Sequence, residues 1–142
     1  MRFQYQFFAG PSLNSATLNV PRAATMTKVL AATASIRRGA VPLSQVQCVM
    51  KIVDGAGNLV LQFVLDANAA GAAGSVQNFM FAYGIPSSSF LALATVGAEE
   101  NWYFPIPSEL WIPPQAQLSF TLGLGLVADD IFTGVNLTTL TP

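Results

Sequence analysis

From Gln117 to Leu124 the chain alternates strictly. Leu118, Phe120, Leu122 and Leu124 interleave with Gln117, Ser119, Thr121 and Gly123. Successive side chains of a β-strand point to opposite faces, so this pattern predicts a strand with one face in a core and the other in water. Gln45 to Val53 repeats the pattern through Val46, Cys48, Met50 and Ile52, and Leu59 to Asp66 repeats it through Leu59, Leu61, Phe63 and Leu65. Between these two runs lies Asp54-Gly55-Ala56-Gly57-Asn58. Glycine and asparagine tolerate positive φ, so the segment predicts a hairpin turn.

Shorter alternations predict further strands. Phe3, Tyr5 and Phe7 alternate with Gln4 and Gln6, and Phe79, Phe81 and Tyr83 precede Gly84-Ile85-Pro86. Phe90 to Val96, Trp102 to Phe104 before Pro105, and the Thr-rich run from Ile131 to Leu140 complete the set. Thr27 to Ile36 is rich in alanine, but Val29, Thr33 and Ile36 and the lack of an apolar stripe favour a strand over a helix. Ser108-Glu109-Leu110 offers at most one helical turn. Ala67 to Ser75 reads as a loop, and Gly10 to Ala24, bounded by prolines and without periodicity, as a loop or an extended arm. Eight or nine short strands with turns about every ten residues, and no helical patterns between them, predict an all-β antiparallel sandwich or barrel. Residues 1–142 are expected to form a single domain, with 10–24 the candidate arm.

Composition sharpens the picture. Charged residues are 9% of the chain and apolar residues 52%, where an ordinary soluble domain carries about 25% charge. A surface with so few charges is either coated with neutral polar groups or covered by another protein, and the second is the leading reading. The longest apolar runs fall far short of the ~20 residues that span a bilayer, so no membrane partner is expected. The N-terminus lacks the pattern of a secretory signal. A net charge of −1, with Arg37-Arg38, Arg22 and Lys28 as the nearest thing to a basic patch, argues against a nucleic-acid partner.

Catalytic chemistry finds little support. The chain has no histidine and one cysteine, Cys48, which removes Ser-His-Asp and Cys-His arrangements and the usual zinc and copper ligand sets. Cys48 reads as a buried small apolar residue. Glu99-Glu100 and Asp129-Asp130 offer the carboxylates of a glycosidase pair, and Asp129-Asp130 with Asp54 or Asn58 the oxygens of a calcium site. Both pairs read more simply as solvated loop charges. The Asn136-Leu137-Thr138 triplet lies in a strand-like run and reads as a chance match to the glycosylation motif. No catalytic residue, cofactor or metal site is expected, and the chain is expected not to be an enzyme. Trp102, Tyr103, Phe104 and Trp111 are candidate interface anchors, with an aromatic sugar platform as their alternative, and Arg37 and Arg38 are candidate rim contacts.

The segment Leu110-Trp111-Ile112-Pro113-Pro114-Gln115-Ala116-Gln117-Leu118-Ser119-Phe120, followed by Asp129-Asp130-Ile131 and a Thr-rich terminal strand, resembles the end of small jelly-roll decoration, or cementing, proteins of tailed-phage capsids. The Asp54–Asn58 hairpin also suits them. The resemblance covers about the last third of the chain and its overall size. It implies that the sandwich is of jelly-roll type and that the chain is a non-enzymatic virion protein on the outer surface of a capsid, with the major capsid protein as partner and neighbouring subunits bridged. Homo-oligomerisation, dimer before trimer, is expected with it. The rival readings are a carbohydrate- or receptor-binding sandwich of a tail fibre or spike, and a small β-barrel enzyme using paired carboxylates.

Overall fold

The computed structural model describes residues 1–11, 17–42, 45–67, 71–84 and 99–142, and the backbone of 88–91. The described residues form strands only: β1 (Arg2–Ala9), β2 (Thr17–Asn19), β3 (Thr27–Arg37), β4 (Gln47–Val53), β5 (Leu59–Asp66), β6 (Val76–Ala82), β7 (Ser88–Leu91), β8 (Glu99–Pro105), β9 (Trp111–Ile112), β10 (Gln117–Gly123) and β11 (Ile131–Thr141). The larger sheet runs β1-β11-β3-β6-β8-β7, with β9 beside β3, and the smaller runs β2-β10-β4-β5. With β7, β8 and β9 set aside, what remains is β1-β11-β3-β6 facing β2-β10-β4-β5. Consecutive strands of this set cross from one sheet to the other everywhere except at the β4–β5 hairpin. That is the strand order of a jelly roll, and the expected all-β sandwich is what the chain forms.

Two features differ from expectation. The strands number eleven among the described residues, because short edge pieces such as β2 and β9 carry too little alternation to be read. One pair is parallel: β8 runs alongside β6 from Val76↔Glu99 to Ala82↔Pro105. The segment between β6 and β10 widens the larger sheet instead of crossing directly, and it brings β8 back in the direction of β6. Residues 92–96 of the strand expected at Phe90–Val96 lie outside the described residues, as do 12–16 of the candidate arm. Within that arm segment, β2 pairs with β10 and Leu18 is buried.

The inner faces are those the alternation foretold. Cys48, Met50 and Ile52 of β4, Leu118, Phe120 and Leu122 of β10, and Leu65 of β5 meet Val29, Ala32, Ala34 and Ile36 of β3 and Phe79 and Phe81 of β6. Rings bridge the sheets, Phe81 to Phe120 at 6.4 Å and Phe104 to Phe63 at 5.4 Å between centroids. Such pairs add about 0.5–1.5 kcal/mol each beyond the area they bury. Leu59 and Leu124 leave the pattern. A register shift between Ile52 and Val53 turns Leu59 outward, and β10 ends at Gly123, where Leu124 takes a positive φ and stays exposed. The hairpin at 54–58 closes as expected, with Gly57 at positive φ and Asp54 accepting from the amides of Ala56 and Asn58.

Candidate functional site

Arg37 and Arg38 are neighbours on and just beyond β3, so they point to opposite sides. Arg37 is exposed. Arg38, expected at a surface rim, is buried. Its guanidinium donates to Asp130 Oδ1 at 3.2 Å, to Gln77 Oε1 at 3.0 Å and to the carbonyl of Gly125 at 3.0 Å. Asp130 also accepts from the amides of Gly39 at 2.7 Å and Val127 at 2.8 Å, so the expectation of a solvated acidic turn fails for it. Asp129 remains exposed and caps the amide of Ala40 at 2.8 Å. The Arg38 amide donates to the carbonyl of Ser75, and Gln77 passes its own amide to Glu100 at 3.1 Å. This network ties the end of β3, the start of β6 and the β10–β11 connection together at one end of the sandwich. A buried charge of this kind survives only when paired and fully hydrogen-bonded. Its task is architectural.

The aromatic candidates separate in the same way. Trp102 is an inner-face residue of β8, 1% exposed and stacked on Phe79 at 5.9 Å. Phe104 follows it inward against Phe63 and Phe81. Tyr103, between them, is half-buried and faces outward with Met80, its register partner. The three consecutive rings therefore form no common platform, because a strand sends alternate residues to opposite faces. Trp111 sits on β9 beside Lys28 of β3. Its indole N–H donates to Glu109 at 2.8 Å, Lys28 reaches the same carboxylate at 3.0 Å, and the Lys28 ammonium lies 5.7 Å from the indole centre. The indole hydrogen bond and then the lysine hold the Glu109 carboxyl below the usual carboxylate range. Glu99 and Glu100 occupy opposite faces of β8, as adjacent strand residues must. Among the described residues no cluster of three or more His, Cys, Asp or Glu side chains is close enough to hold a metal ion, and no helix is long and apolar enough to cross a membrane.

What the strands do assemble is a broad outer face on the larger sheet. Residues paired across neighbouring strands share a face. One row carries Phe3, Leu140, Lys28 and Trp111, and the next carries Tyr5, Thr138, Ala31, Ala82 and Pro105. A third row carries Phe7, Asn136, Thr33, Met80 and Tyr103. Ser35, Asn78 and Asn101 follow, joined by side-chain hydrogen bonds of 2.6 and 2.8 Å. Among the described residues, charges on this face come at its margins, from Lys28 with its partner Glu109, and from Arg37 and Glu99. Phe3, Tyr5 and Phe7 are 61%, 80% and 61% exposed. The charge-poor composition by itself places no part of this surface. The signal was present in Phe3-Gln4-Tyr5-Gln6-Phe7, whose aromatics alternate with amides and so had to occupy a single face.

No protein-family model and no curated protein matches this chain. Among solved structures it is similar to chains of infectious bursal disease virus. Over 99% of its length it matches the Gx strain structure at 13% identity with a TM-score of 0.49, and the Gt strain structure at 14% identity with a TM-score of 0.45. It spans about a third of the length of those chains, 32% in each case. The phage decoration family has no counterpart among these matches.

Proposed function

We propose that this chain is a non-enzymatic virion structural protein, a jelly roll that seats on the outside of a capsid shell and cements neighbouring subunits of a larger major capsid protein. The observation that carries the reading is the outer face of the larger sheet. Its central rows, from Tyr5 and Phe7 across to Met80 and Tyr103, hold no charge. Burying such a face against a partner avoids the desolvation of ions, which is costly. Weak contacts of this kind become strong when repeated over a lattice. Sandwiches host many functions, so the reading is carried by the face and not by the jelly-roll order.

The test is sedimentation of native source material followed by mass spectrometry for the 15.0 kDa chain. It is expected to pellet with large particles in fixed ratio to a bigger protein. Recovery only in the slow-sedimenting fraction overturns the reading. As a second arm, Met80→Lys with Tyr103→Glu places an opposite-charge pair in the central row. That variant should keep its melting temperature within a few degrees and lose particle association.

A further inference from the structure

Residues 3–7 read Phe-Gln-Tyr-Gln-Phe in either direction. They lie in β1, which ends the larger sheet, and among the described residues no strand pairs with its outer edge. Edge strands are usually blunted by lysine, proline or a bulge. β1 has none of these: its eight residues pair with β11 in unbroken register from Arg2↔Thr141 to Ala9↔Gly134. The Gly10 amide donates to the Thr133 carbonyl at 3.0 Å. Alternation back along the unbulged strand then turns the N–H and C=O of Phe3, Tyr5 and Phe7 to the open edge. The residues with free backbone groups are therefore the same ones whose rings stand exposed.

We propose that this edge pairs antiparallel with the same edge of a second copy, across a two-fold axis at Tyr5, so that the larger sheets of two molecules become one. In that register Tyr5 faces Tyr5 of the second copy and Phe3 faces its Phe7. Gln4 faces its Gln6, and each of the three aromatic pairs exchanges two backbone hydrogen bonds. A one-residue slip sets aromatics against amides, and a two-residue slip leaves a phenylalanine facing a residue outside the motif, so the palindrome selects a single register. The strand's only charge, Arg2, falls opposite Phe8 of the second copy, which keeps the two arginines at opposite ends. A two-fold contact must be self-complementary, and a palindromic strand is so by construction. The inference does not rest on the capsid reading, since it concerns the free chain in solution, and its failure leaves the particle test untouched.

The experiment is sedimentation velocity of the purified chain over a concentration series, with three variants. Wild type is expected to dimerise. Tyr5→Lys sets two like charges face to face and should weaken the dimer about tenfold or more. Tyr5→Pro removes an N–H that the monomer does not use, and should give a folded monomer with an unchanged melt at dilution. Tyr5→Cys should oxidise to a covalent dimer, since a hydrogen-bonded antiparallel pair sets Cα atoms about 5.5 Å apart, within disulfide reach. Val60→Cys, exposed on the other sheet, should not. A wild type that stays monomeric at high concentration overturns the proposal. So does a trimer, or a dimer indifferent to Tyr5→Lys and Tyr5→Pro, which would assign association to another face.

Discussion

Arg38 and Asp130 stand 92 positions apart in the chain and meet inside the protein, Nε to Oδ1 at 3.2 Å, with both side chains fully shielded from water. The pair is the centre of a network that joins three connections at one end of the sandwich. Removing one partner strands the other. Arg38→Met should destabilise the fold by about 3–5 kcal/mol, because it leaves a buried carboxylate without its cation. Adding Asp130→Leu to that variant should recover part of the loss and no more, since the amides of Gly39 and Val127 then lose their acceptor. Urea unfolding of the two single variants and the double variant measures the coupling. Strictly additive losses would show that the two side chains do not interact.

The thiol of Cys48 lies wholly within the core, and burial pushes its pKa far above the usual thiol value. The native protein should resist thiol reagents and react only on unfolding. A pH dependence follows. The group's folded value is raised, so its stabilising contribution is intact below the unfolded thiol value and is lost as pH rises beyond it. Above about pH 8.5 the unfolded chain ionises while the folded one does not, and stability should fall by up to about 1.4 kcal/mol per pH unit. Cys48→Ala should remove that part of the slope. Identical slopes in the two proteins would contradict the assignment.

Asp54 behaves in the opposite sense. Hydrogen bonds from the backbone and side chain of Asn58, with that of the Ala56 amide, hold its carboxyl below the usual aspartate range. A depressed folded value means that the contribution is present above the unfolded carboxyl value and fades as pH falls through the folded one. An NMR titration should find the Asp54 midpoint below that of a free aspartate, and Asn58→Ala should move it back up. A wild-type midpoint at the ordinary value would count against the turn geometry.

The strands that were legible from sequence are those with one dry face. In β4, β5 and β10 the apolar residues recur every second position, and the turn residues at 54–58 fix where the chain reverses. β2 and β9 were not legible, because three and two residues cannot display a period. The fate of Arg38 and Asp130 was hidden for a different reason. Their pairing depends on how the chain crosses between sheets, and nothing near either residue announces it. One local signal was available: two adjacent arginines at a strand end point to opposite sides, so one of them had to face inward. The same reasoning, applied to Trp102-Tyr103-Phe104, separates the core rings from the surface ring.

That separation makes the final prediction. Trp102 and Tyr103 are neighbours in sequence, yet Trp102 packs against Phe79 inside the sandwich while Tyr103 stands on the outer face beside Met80. Trp102→Ala opens a cavity between packed rings, and should cost about 3–5 kcal/mol of stability. Tyr103→Ala removes a half-buried ring from a surface row and should cost less than about 1 kcal/mol. On the proposed capsid shell the order reverses. Tyr103→Ala should weaken particle association in a folded protein, and Trp102→Ala should affect it only through loss of fold. Thermal melts read beside a particle-binding assay separate the two effects. Equal losses of stability in both variants would place Tyr103 in the core and remove the central row from the docking face.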